Sequence, residues 1–234
     1  MVAYRLINGR GFLERSVCPS CQHQLAWYHL IPLFSWIFLC GRCHFCKKSI
    51  SWLYPAVEVM TALTFTGLWY LLSPWYFVSY ALFFSGLIVA LHTDIRYLLI
   101  PTLATLGLIS VGIVASAAGL LPISTVESIA GILCGVALLW GTRSVFWWLK
   151  GQEGLGWGDV ELLAMIGSFI GPVGVLITLL LGSLSGSLVG LALLGCGRGA
   201  QAPEMKIPFG AFLAGGAMTY VLLQRPLLAL LGLC

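Results

Sequence analysis

Charge is what this chain has least of. Only 9% of its 234 residues are charged, and eight of them are acidic. Soluble domains carry roughly a quarter charged residues. With 59% hydrophobic residues as well, a water-soluble globular protein is excluded and an integral membrane protein is implied. Segments alternating apolar with polar residues are also absent, which excludes an outer-membrane barrel. The apolar runs are long and continuous, so the chain crosses the bilayer as helices. No cleavable signal peptide is present, because the first fifteen residues lack a continuous apolar core and carry Arg5, Arg10 and Arg15. A Rossmann-type glycine fingerprint is missing, so no cofactor-binding residue is legible. The net charge of +4 is spread over short loops rather than one stripe. That pattern reports topology and excludes a nucleic-acid partner. There is no repeat or low-complexity segment.

What is present divides in two. Residues 1–52 are more polar and carry cysteines; residues 53–234 are nearly all apolar. The apolar runs are Leu53–Leu72, Tyr76–His92, Leu99–Leu121, Val126–Leu149, Val160–Ile170, Val173–Gly195 and Phe209–Leu231. A span needs about 20 residues, within roughly 17–25. All but Val160–Ile170 are expected to meet this. That run reads as a half-membrane helix or one whose ends lie in protein. The last run is interrupted by Arg225-Pro226 and is expected to end near Gln224. The 28 glycines suit helices packed closely in lipid. The expected fold is therefore all-α, a polytopic membrane bundle with a small lobe near the N-terminus. Its partner is bilayer lipid.

The loops alternate in charge. Segment 1–52 is basic, the turn after Asp94 carries Arg96, Arg143–Gly158 carries Arg143 and Lys150, and Cys196–Pro208 carries Arg198 and Lys206. The intervening loops carry no charge. By the positive-inside rule the basic loops are cytoplasmic, leaving Arg225 as a minor exception. Trp147, Trp148 and Trp157 fit an interfacial aromatic belt.

Cys18-Pro-Ser-Cys21 and Cys43-His-Phe-Cys46 form two CxxC pairs separated by 21 residues. Two such knuckles can close a tetrahedral Zn site with Cys18, Cys21, Cys43 and Cys46 as ligands. The other reading is two disulfides, which requires this segment to lie outside the cell. Cys40 and His44 are near enough to be alternative ligands. Cys134, Cys196 and Cys234 read as packed small hydrophobes. Four thiolates leave no open position, so the zinc is expected to be structural and to fold a small cytoplasmic lobe.

Two acids stand at membrane boundaries. Asp94 lies in TDIRYLLIP at the end of an apolar run, and Asp159 closes GLGWGD at the start of another. An acid in such a place is costly and is a functional candidate. Two carboxyls sharing one proton can supply an acid and a base together. Each aspartate is also a good helix N-cap, Asp94 for Leu99–Leu121 and Asp159 for Val160–Ile170. Both readings stand on residue type alone. Glu58 is either a ligand for an amine or sulfonium or a buried carboxyl paired with a loop arginine. His92 reads as a satisfied helix-end histidine.

The order of motifs resembles the type IV prepilin peptidases, a family of GxGD intramembrane aspartic proteases. The resemblance is carried by CPSC, LAWYHLIPLFSW, CGRCHFCKKSIS and YPAVE, then TDIRYLLIP, EGLGWGDVELLAMIGSFIG and KIPFGAFLAGGA. It implies an enzyme of the bacterial inner membrane that serves type IV pili or type II secretion. Such enzymes remove the basic leader of prepilins or pseudopilins at the cytoplasmic face. They then methylate the new N-terminus with S-adenosylmethionine. The resemblance carries the catalytic role to Asp94 and Asp159 and the metal role to Cys18, Cys21, Cys43 and Cys46. It associates methyl transfer with 1–52 and peptidase activity with 53–234. Three departures are visible. Members begin with an apolar helix ahead of the stretch matching VAYRL, whereas this chain starts at Met1 where that helix would end. Glu161 stands where lysine is usual, and Thr102 where an acid is usual. The competing readings are a transporter or proton relay built on the same two aspartates, and a non-catalytic scaffold docking through its zinc lobe.

Overall fold

The computed structural model describes residues 16–18, 20–151, 155–195 and 208–224. Arg5, Arg10, Arg15, Gly154, the loop 196–207 with Cys196, Arg198 and Lys206, Arg225-Pro226 and Cys234 lie outside the described residues. Helices are the only regular elements among the described residues, accompanied by two isolated β-bridges. The all-α expectation holds. The chain divides into two compact units, Met1–Gly67 and Leu68–Cys234, with the division inside one helix.

The first unit holds both cysteine turns. Between them lie a single 3₁₀ turn, Trp27–Leu30, and a short helix α1, Phe34–Phe38. Helix α2, Leu53–Leu71, then begins.

The second unit is a helix bundle. Helix α3, Pro74–Tyr97, opens on a proline, whose missing N–H costs nothing in a first turn. It stops where Leu98 turns left-handed (φ 52°). Helix α4, Thr102–Ala117, starts only after Pro101 and ends before Gly119 (φ 69°). Helix α5, Thr125–Lys150, is fixed at its start by a capping box between Ser124 and Glu127. Helix α6, Trp157–Gly195, is broken at Gly171 (φ 69°, ψ −177°) and Pro172. Helix α7, Phe209–Leu222, follows Pro208.

Helices α3, α5 and α6 are long and apolar enough to cross a membrane. Helices α4 and α7 have 16 and 14 residues, shorter than the runs that contain them. Runs of full spanning length are expected there from hydropathy. The difference arises because hydropathy ignores backbone punctuation, and Pro101 and Gly119 clip the third run from both ends. The short run Val160–Ile170 proves to be the first half of α6. Every residue from Leu162 to Ile170 is buried, so this half-helix lies in protein rather than lipid.

Helix α6 is the centre of the second unit, packing on α4, α5 and α7. Its approach to α5 is possible only because Gly131 meets Gly167. A Cβ on either would collide with the other's carbonyl oxygen. Ser128 Oγ donates to the Ser168 carbonyl at 2.8 Å across the same seam. Phe83 of α3 stacks on Phe169 of α6, with centroids 4.6 Å apart.

Candidate active site and metal centre

Three helix ends meet around the two aspartates. Asp94 sits in the last turn of α3 and is 6% exposed. Asp159 sits in the first turn of α6, half-buried. The first turn of α7 completes the group. There the Ala211 N–H donates to Asp94 Oδ2 at 2.8 Å, a buried bond spanning 117 residues of sequence. A Cβ built on Gly210 would lie 3.0 Å from Asp94 Oδ2 and 3.0 Å from Asp159 Oδ1. The two oxygens therefore flank one point, no farther apart than twice that distance. A single water or carbonyl oxygen can address carboxyls so arranged.

The N-cap reading holds for neither aspartate. Helix α4 has Pro101 at its N-cap, and Asp94 lies inside α3, so Asp94 caps nothing. Helix α6 starts at Trp157, so Asp159 is its third residue and not its cap, though a charge in that first turn suits the dipole. One of its oxygens still faces Asp94 across Gly210.

The surroundings are small and apolar. Ile100 leans over the centre. A Cβ on Gly158 would lie 3.0 Å from Ile100 Cβ, and one on Gly156 would lie 3.4 Å from Asp159 Oδ2. The loop before Asp159 is tethered by Arg143, whose guanidinium donates to the Leu155 carbonyl and lies 5.1 Å from the Trp157 ring centroid. Arg143 thus does more than anchor topology. Glu161 turns towards α4, where the Thr105 hydroxyl donates to its Oε2 at 3.2 Å. Gly210, Ala211 and Ile100 are the neighbours that sequence reasoning did not single out, and Arg143 is one it read only as a topology anchor.

In the first unit the sulfur atoms of Cys18, Cys21, Cys43 and Cys46 all lie within 4.8 Å of one another. Cys18 and Cys46 are 3.9 Å apart. Tetrahedral zinc with Zn–S bonds near 2.3 Å requires sulfurs about 3.8 Å apart. A disulfide needs about 2.0 Å, and these cysteines are free. The two turns make the same bonds. Cys18 N–H donates to the His23 carbonyl and Gln22 N–H to Cys18; Cys43 N–H donates to Lys48 and Lys47 N–H to Cys43. Gln22 and Lys47 share a positive φ, and β-bridges Val17–Gln24 and Arg42–Ser49 close both turns. Cys40 and His44 stand outside the cluster.

Four thiols this close cannot all ionise without a cation. Burial raises Cys18, but hydrogen bonds from the Cys21 and Ser20 backbone and from neighbouring thiols outweigh it and bring Cys18 down to about 7. For Cys21 the His23 backbone bond lowers the thiol, yet burial and the thiols of Cys18 and Cys46 push it up to about 11. A divalent ion would relieve that conflict.

Glu58 has a partner other than an arginine. Its Oε2 accepts the Leu33 N–H at 2.8 Å.

Comparison with known proteins agrees with this layout. The Bacterial Peptidase A24 N-terminal domain matches residues 1–72, and the Type IV leader peptidase family matches residues 81–191. A protein of Aeromonas hydrophila named prepilin leader peptidase/N-methyltransferase is 37% identical over 203 residues, covering 86% of this chain and 69% of that protein. The chain belongs to the type IV leader peptidase family. A namesake from Pseudomonas aeruginosa is 36% identical over 206 residues, covering 86% and 69%. One from Burkholderia pseudomallei is 32% identical over 224 residues, covering 94% and 71%. No solved structure matches the chain. The family's two matched segments hold the cysteine cluster and the aspartates respectively, with Gly210 and Ala211 beyond the second.

Proposed function

We propose that this chain removes the basic leader from type IV prepilins or pseudopilins with Asp94 and Asp159 as its catalytic pair. It then N-methylates the new N-terminus. The observation that carries the reading is the convergence of two carboxylates, from helices far apart in sequence, on the open side of Gly210. One carboxylate takes a proton from water as the water oxygen attacks the scissile carbonyl. The other, protonated, donates to the carbonyl oxygen. Collapse of the tetrahedral species breaks the C–N bond, and the leaving amine takes up a proton. The positive-inside rule, applied to the basic loops, supports a cytoplasmic position for this centre.

Segment 1–52 serves methyl transfer, and 53–234 holds the peptidase. Zinc is the metal that suits four thiolates at these separations. It braces a lobe with little apolar core of its own. S-adenosylmethionine supplies the methyl group as a sulfonium cation. The first unit offers a cleft of about 590 Å³ walled by Tyr28, His29, Phe34, Phe38 and His44. Aromatic faces favour such a cation, and His29 Nδ1 is buried there with no hydrogen-bond partner among the described residues.

The test is mass spectrometry of a prepilin incubated with the reconstituted chain and methyl donor. The product should lose its leader and gain one methyl group at the new N-terminus, and metal analysis should find about one zinc per chain. An intact prepilin would refute the reading.

A further inference from the structure

We infer that Gly210 is a positioning residue that sets the spacing of the two carboxylates, an inference that rests on reading Asp94 and Asp159 as the catalytic pair. Gly210 is buried in the first turn of α7. Its φ lies outside the left-handed region, so its backbone does not call for glycine. Alanine is the better helix former. The residue is small because of what lies beside it.

A Cβ there would meet three atoms. Ile100 Cδ1, at 2.6 Å, ends a flexible side chain and can swing aside. The two carboxylate oxygens, at 3.0 Å each, have less freedom. Asp94 is buried, and its Oδ2 is held by the next residue of the same helix turn, Ala211. To retreat from a methyl group it must give up that bond, leaving a buried polar group unpaired. Asp159 Oδ1 closes the other side, with the Gly156 backbone against its second oxygen. The first turn of α7 therefore acts as a gauge. The Ala211 amide fixes one carboxylate, and the missing side chain of Gly210 leaves both free to meet one reacting oxygen.

The experiment compares wild type, Gly210→Ala, Ile100→Val, the double variant and Asp159→Asn on a prepilin in reconstituted membranes. Gly210→Ala should lower kcat about a hundredfold, the order expected for a misplacement near 1 Å, with KM changed less than about twofold. Its Tm should fall only modestly, because the unpaired carboxylate is partly offset by the better helix propensity of alanine. Ile100→Val is the control for crowding by Ile100, and adding it to Gly210→Ala should restore nothing. Near-wild-type cleavage by Gly210→Ala overturns the inference. So does recovery in the double variant, which would blame Ile100, or unfolding of Gly210→Ala at the assay temperature, which would make the loss one of folding. Cleavage by Asp159→Asn would instead overturn the catalytic pair itself.

Discussion

Leu33 shows how single residues hold this fold in unfavourable conformations. It has φ 60° and ψ −51°, the centre of a γ-turn closed by the Phe34 N–H on the Pro32 carbonyl at 2.6 Å. That conformation is rare and strained for a side-chain-bearing residue. The Glu58 carboxylate, 25 residues on, takes the Leu33 N–H. LIPLF and YPAVE are thus two halves of one device. Glu58→Ala should destabilise the first unit by about 1 kcal/mol, through an unpaired, part-buried donor and an unsupported turn. Glu58→Gln keeps an acceptor and should cost far less. The rate of metal loss to a chelator measures both. The sequence offers Glu58 as a buried carboxyl paired with an arginine and not with this partner, because a backbone N–H carries no residue-type signature. The same blindness hid Ala211 from Asp94. Asp94 and Asp159 were legible because acids are scarce and conspicuous beside apolar runs; Gly210 contributes by what it lacks.

At the scale of elements, hydropathy located the three helices long and apolar enough to cross a membrane but not their ends, and it overrated Leu53–Leu72, whose helix α2 falls outside that group. Ends are decided by single residues: Pro101 and Gly119 for α4, Gly171 for the break in α6, and Ser124 with Glu127 for the start of α5. The doubled CxxC showed four thiols, and the structure adds that both turns repeat the same backbone bonds. Helix contacts were the least legible, since 28 glycines do not say which pair meets. Gly131 and Gly167 do, carbonyl against Cα, where neither side can yield. Gly167→Ala should therefore destabilise the bundle by about 3 kcal/mol, at the upper end for overpacking. Gly107→Ala, in open space within α4, should be neutral or mildly stabilising. Unfolding of the two variants in one detergent reads the difference. Equal stability would place the α5–α6 seam elsewhere.

The whole molecule has two compact units, one with a cysteine cluster and one with an aspartate pair. If the pair performs only the cut, its loss should spare everything done by the first unit. The most direct measurement follows leader removal and methylation separately for wild type, Asp94→Asn and Asp159→Asn. Substrates are an intact prepilin and a pilin whose leader has already been removed. Both variants should leave the prepilin uncut, keep their zinc and membrane insertion, and methylate the pre-cut pilin at the wild-type rate. Cleavage by either variant at near the wild-type rate would contradict the account, because two carboxylates flanking one point would then not be what breaks the peptide bond.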